Sequence, residues 1–141
     1  LFTRNLIMTD KKKGFDTGFF IKILHNNTTA IQTWKEVINN EAAGFVSCLS
    51  IFEIERLSLK GSIDRKTSES IIKDVNEWCT VLWLDNSHVT SQSAKISHGN
   101  GIPAIDSIII ASLLHAGVKS IYTTDTHFTM YKKKGIKIIK L

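Results

Sequence analysis

Four carboxylates stand where this chain changes from one kind of local structure to another. Asp16 follows a short strand-like run. Glu53 opens a helical stretch after GFVSCL. Asp125 closes SIYTTD. Asp106 sits within PAIDSIIIASLLHA, residues 103–116, a helix otherwise apolar enough for the interior. Each has an ordinary structural reading. Asp16 and Asp125 suit helix N-caps, Ser50 and Glu53 have the spacing of a capping box, and Asp106 complements the positive end of its helix. Gathered in one place, however, four such groups repel, and helix ends offset this with only partial charges. A hard dication resolves the repulsion. Mg²⁺ and Mn²⁺ prefer oxygen ligands, and an acid cluster with no cysteine and only His127 nearby suits them better than zinc. One or two such ions can activate water and stabilise a leaving oxygen in phosphodiester cleavage.

The elements around these residues bring them together. Apolar spacing predicts strands at 14–16, 44–49, 79–85, 120–125 and 136–141. Helices are expected from 17 onward, over 28–40 with Ile31, Trp34 and Ile38 on one face, and from Ser50 to Gly61. Others should span 64–78, with Ile71, Val75 and Trp78 facing inward, then 87–98 and from Pro103 to about Gly117, with a short helix reaching Tyr131. Strands alternating with helices imply βαβ units, hence a three-layer α/β/α sandwich around a parallel sheet of four or five strands. In such a sheet every strand ends at one edge, the following helix begins there, and a crossover helix starts there too. That edge, where open α/β sheets bind ligands, is the expected site of all four acids. Asp106 then lies at the mouth of the site while Ile108 to Leu114 enter the core.

The chain of 141 residues fits one domain, and 43% apolar content is enough for a core. Cys48 and Cys79 lie in apolar stretches without metal-like spacing and read as buried thiols of an intracellular protein. No signal-like run or spanning segment is visible, so a cytoplasmic location is expected; LFTRNLI before Met8 reads as a cloning remnant, with Met8 the natural start. Trp34, Trp78 and Trp83 are expected in the core. The net charge of +5 mildly favours a nucleic-acid partner. Setting the four acids aside leaves nine of 13 against 18 basic residues, a surplus able to hold a phosphate backbone around an acidic pit. Of the lysine triplets, both read first as solvated turns, and Lys11–Lys13 is the stronger candidate for substrate contact because it adjoins Asp16. Arg56 is expected to pair with an acid, and His115 to complement its helix dipole.

DTGFF at Asp16, SIFEIERL around Glu53, PAIDSIIIASLLHAG around Asp106 and TTDTHF around Asp125 together resemble the PIN domain, especially the VapC-type toxins of toxin–antitoxin pairs. The likeness covers nearly the whole chain after residue 13 as a single PIN-like domain. It implies a metal-dependent endoribonuclease in which Asp16, Glu53, Asp106 and Asp125 hold Mg²⁺ or Mn²⁺ and Thr123 orients the site. It also implies a homodimer and a protein antitoxin. The chain departs from the family pattern at His127, where many members carry another acid. His127 reads first as a helix-start residue, and otherwise as a phosphate contact or a peripheral metal ligand. The run of Lys11–Lys13 and Gly14 is likewise unusual for a first strand.

Two other readings remain. A PIN-like fold can bind RNA or protein without catalysis. A phosphoacceptor receiver domain shares the size and α/β pattern and would use Asp85 at the end of TVLWLD, but it leaves Glu53 and Asp106 without a role.

Overall fold

The computed structural model describes residues 11–141; the segment before Met8 lies outside them. Five parallel strands form one sheet: β1 (Lys12–Phe15), β2 (Ala43–Ser47), β3 (Cys79–Leu82), β4 (Ser120–Thr123) and β5 (Lys137–Lys140), in the order β3-β2-β1-β4-β5. All four pairings are parallel, with Phe15 opposite Val46 on one side and Tyr122 on the other. Among the described residues six α-helices connect and cover them: α1 (Thr17–Leu24), α2 (Thr28–Ile38), α3 (Cys48–Leu59), α4 (Arg65–Trp78), α5 (Ser87–Asn100) and α6 (Ala104–His115). A 3₁₀ turn, Thr126–Met130, follows β4. The expected α/β/α sandwich is the fold observed, with five strands.

The two faces of the sheet are filled differently. One side packs Phe15, Phe19, Phe20, Val37, Val46, Ile54, Ile71, Val75 and Tyr122. The other packs Ile96, Ile102, Ile109, Ile110, Leu113, Val118, Ile121 and Phe128. Alternation along β1 explains the split, because Phe15 points to the aromatic side and Gly14 to the aliphatic side. A Cβ at Gly14 would lie 2.9 Å from the methyl groups of Leu113, so only glycine lets α6 approach this closely. The lysines preceding it do not prevent a strand. Lys12 Nζ donates to the Ala116 carbonyl at 3.0 Å, and Lys13 Nζ donates to Glu36 at 2.9 Å and to the Tyr122 hydroxyl at 3.2 Å. Their stems cover apolar surface while each ammonium finds a partner.

Several boundaries differ from the sequence reading. β2 stops at Ser47, whose hydroxyl accepts the Leu49 N–H at 3.1 Å and starts α3 at Cys48. No capping box forms at Ser50, and Glu53 falls in the second turn rather than the first. α2 buries Ala30, Thr33 and Val37, and Ile38 is exposed, so the inward face is rotated by one residue from the one expected. α4 turns Ile71 and Val75 inward as expected. Trp34 and Trp78 pack against the aromatic core, but Trp83, after the short edge strand β3, is 65% exposed. Both cysteines are thiols, Cys79 buried and Cys48 half-buried. Arg56 is exposed and makes no ion pair among the described residues. Among these residues no helix is long and apolar enough to cross a membrane.

Candidate active site

Asp16 is the residue between β1 and α1, and the packing on either side of it fixes its position. The Phe15 and Phe19 rings stack with centroids 4.0 Å apart, clamping the strand end to the first helical turn. The Asp16 N–H donates to the Tyr122 carbonyl at 3.0 Å, extending the β1–β4 ladder by one bond. Asp16 occupies the N-cap position but makes no side-chain cap hydrogen bond. Its carboxylate instead turns inward. Oδ1 accepts from Ser50 Oγ at 3.4 Å, and Oδ2 accepts from Thr123 Oγ1 at 3.1 Å. Asp16 is 7% exposed and, among the described residues, has no Lys or Arg partner. Burial pushes its carboxyl up to about 6. The Thr17 backbone N–H and the Thr123 hydroxyl oppose the rise, while the charges of Glu53 and Asp106 add to it.

Thr123, fully buried at the end of β4, links two of the acids. Its hydroxyl donates to Asp16 and accepts the Asp125 N–H at 2.9 Å. Asp125 caps the 3₁₀ turn, its Oδ1 accepting the His127 N–H at 2.8 Å. Asp106 lies in the first turn of α6, where the sequence reading placed it. Its carboxyl is raised by partial burial and then by the charge of Asp125. His127 pulls it back down, and Glu53 adds a further upward push. His127 Nδ1 lies 3.2 Å from Asp106 Oδ2 and 3.3 Å from Asp125 Oδ1. Glu53, exposed on α3, lines the same cleft as Asp16 and Asp125, a space of about 470 Å³.

The four acids and Thr123 therefore meet at one edge of the sheet, as the topology requires. The lysines 11–13 do not join them. Lys12 and Lys13 belong to the start of β1, about 10–13 Å from Asp16 at a strand rise of about 3.3 Å per residue, and each is engaged there structurally. Three residues given no site role in the sequence reading face the cleft or its acids. Lys22 on α1 and His25, just past the end of α1, line the cleft. Ser50 reaches Asp16 from α3, and its one-turn spacing from Glu53 was the only available signal. Asp85, by contrast, is exposed beyond edge strand β3, two strands away from β1. A receiver-type fold uses the strand order 2-1-3-4-5, with the third strand central, so the observed order excludes that reading.

The donors fit a hard dication. Carboxylate oxygens from Asp106 and Asp125 and the His127 Nδ1 all lie within 4.8 Å of one another. The buried Asp16 carboxylate beside them has neutral hydroxyl partners and no cation. Cations of the Mg²⁺ and Mn²⁺ class take such oxygen-rich sets.

Comparison with solved structures shows the same architecture. The chain is similar to VapBC2 from Rickettsia felis bound to a promoter DNA fragment, at 10% identity over 92% of this chain and 98% of that one, with a TM-score of 0.69. It is similar to VapBC-5 from Mycobacterium tuberculosis at 16% identity, covering 93% and 99%, with a TM-score of 0.67. It is also similar to DNA-bound VapBC from Salmonella typhimurium at 18% identity, covering 92% and 97%, with a TM-score of 0.64. No curated protein sequence matches. The PIN domain family model matches residues 15–134, a span that runs from the strand end before Asp16 past Asp125 and the 3₁₀ turn, and the chain therefore belongs to the PIN domain family.

Proposed function

We propose that this protein is a divalent-metal-dependent endoribonuclease, the toxin of a toxin–antitoxin pair acting on RNA in the cytoplasm. The observation that carries the reading is the convergence of Asp16, Glu53, Asp106 and Asp125 at one sheet edge with the innermost acid lacking a cation. Membership of the PIN family and the fold shared with VapBC toxin–antitoxin structures support it. Asp16, Asp106 and Asp125 would hold the metal, with Glu53 at the open side of the cleft and Thr123 fixing the angle between Asp16 and Asp125. When bound, Mg²⁺ or Mn²⁺ lowers the pKa of water to yield a nucleophile and stabilises charge developing on phosphoryl oxygens. Thr123 and Ser50 hold the Asp16 carboxylate by its two oxygens, so that it presents its charge without rotating. Lys22 and His25 on the cleft wall are better placed than Lys11–Lys13 to contact the RNA backbone.

Exposed apolar side chains support the partner part of this reading. Phe52, Trp83, Leu84 and Ile105 are each more than half exposed, and Phe52 and Ile105 adjoin Glu53 and Asp106 in the sequence. A second copy or an antitoxin covering Phe52 and Ile105 would bury apolar surface next to Glu53 and Asp106. The non-catalytic binding reading differs in one measurable respect, since it predicts RNA affinity without cleavage. The test is cleavage of a mixed RNA pool by wild type and Asp106→Asn, with Mg²⁺ or Mn²⁺ and with EDTA. Cleavage by wild type alone, abolished by EDTA, supports the nuclease. RNA binding without metal-dependent cleavage overturns it in favour of the binding module.

A further inference from the structure

We propose that His127 Nδ1 is a nitrogen ligand of the metal centre, and that it makes this centre select Mn²⁺ over Mg²⁺. The inference rests on the nuclease reading above and specifies the ion that reading leaves open.

The geometry is already close to that of a ligand set. Two ligands at right angles on an ion with ~2.1 Å bonds lie ~3.0 Å apart. His127 Nδ1 is 3.2 Å from Asp106 Oδ2 and 3.3 Å from Asp125 Oδ1, so one ion can contact all three atoms with little movement. The backbone that carries the ring is fixed: the His127 N–H donates to Asp125 at 2.8 Å, and the next residue, Phe128, is fully buried in the 3₁₀ turn. The imidazole can ligate through Nδ1 because its other nitrogen is free to hold the proton. The side chain is 51% exposed, and no contact of Nε2 with a protein group is formed among the described residues.

The donor type then decides selectivity. A carboxylate at this place would make the set all-oxygen, which suits Mg²⁺. An imidazole replaces a charged oxygen with a softer neutral nitrogen, and affinity for such sites rises from Mg²⁺ toward Mn²⁺ and the later first-row ions. The exchange also removes one negative charge, which weakens the hold on Mg²⁺ more than on an ion with nitrogen affinity.

The test uses the full chain and two ions, Mn²⁺ and Mg²⁺, with wild type, His127→Asp and His127→Asn. Bound Mn²⁺ is read by electron paramagnetic resonance and displaced by Mg²⁺. Because His127 is exposed, neither substitution threatens the core. Wild type should show a ¹⁴N coupling to Mn²⁺ that both variants lose. The Mn²⁺-to-Mg²⁺ affinity ratio should fall about ten-fold in His127→Asp. A ¹⁴N coupling that persists in both variants would assign the nitrogen elsewhere, His25 being the other imidazole on the cleft, and would overturn the proposal. Binding of both ions without ¹⁴N coupling, or with an unchanged ratio, overturns the His127 assignment and leaves the nuclease standing. Failure to bind either ion overturns both.

Discussion

The two ends of β1 both place charge next to the core, and they treat it in opposite ways. At the N-terminal end, Lys13 is only 17% exposed in its side chain, yet Glu36 lies 2.9 Å away and the Tyr122 hydroxyl 3.2 Å away. Burial works against its ammonium, but these two hydrogen bonds outweigh burial and leave the pKa raised. Three residues on, Asp16 is more deeply buried and its carboxylate meets two hydroxyls and the Thr17 N–H but no cation, with Glu53 and Asp106 adding repulsion, so its carboxyl rises to about 6. One end is electrostatically complete and the other is not. A buried carboxylate with a raised pKa and no counter-ion, beside a near neighbour that has one, marks the acidic end as the candidate site.

Removing the charge at the incomplete end should give the largest effect, and in two directions. Asp16→Asn is expected to lower metal-dependent RNA cleavage by about 10³-fold, measured as single-turnover rate, while raising the thermal midpoint of the metal-free protein at pH 7. A loss of stability together with activity would show that Asp16 is simply a structural acid.

The pH dependence sharpens the same contrast. The folded-state pKa of Asp16 lies above its ordinary value of 3.8. Its contribution therefore favours folding below about pH 4 and is lost as pH rises through about 6. The difference in unfolding free energy between wild type and Asp16→Asn should accordingly change across that window by on the order of 3 kcal/mol, at about 1.4 kcal/mol per pKa unit. Saturating Mn²⁺ should reverse the trend by binding only the folded state. Denaturant titrations at pH 4, 5, 6 and 7 check this.

The geometric tolerance of the acidic end can be probed at Gly18. A side chain there collides with Thr124 Oγ1 and Cβ, between Thr123 and Asp125. Gly18→Ala is expected to destabilise by about 1–3 kcal/mol, as overpacking does, and to reduce cleavage further than the lost stability explains. Unchanged activity in the folded fraction would mean that the Thr123–Asp125 segment does not need its present position.

At the complete end the effects should be smaller and purely structural. Lys13→Met is expected to cost about 1–2 kcal/mol by leaving Glu36 and Tyr122 without their donor. Cleavage rate at saturating RNA should not change. Lys12→Met, which loses one hydrogen bond to the Ala116 carbonyl, should cost under about 1 kcal/mol. A marked loss of RNA binding in either variant would restore the Lys11–Lys13 triplet as a substrate contact.

Much of this arrangement was legible in the chain itself. Short apolar runs alternating with helical spacing dictate a parallel sheet, and a parallel sheet places every strand end at one edge. Asp16, Asp106 and Asp125 were located by that topology alone, because it depends on chain direction and not on side-chain detail. Where local signals competed, the sequence misled. Ser50 and Glu53 have capping-box spacing, but Ser47 caps first, since β2 must end level with β1 and β3, and Ser50 is thereby delivered to Asp16. The inward face of α2 was displaced by one residue, with Ala30 and Val37 packed into the aromatic side of the core and Ile38 left exposed. Trp83 reads as core by composition, yet it follows an edge strand with no neighbour beyond it.

The sequence by itself determined the fold class and the gathering of acids, because periodicity and strand direction are properties of the chain. Only the tertiary structure decided which charges are paired. Glu36 meets Lys13, and His127 sits between Asp106 and Asp125, through contacts spanning 23 and 21 residues. Pairing at that range depends on how helices seat against the sheet within a few ångströms, and no local pattern encodes such distances.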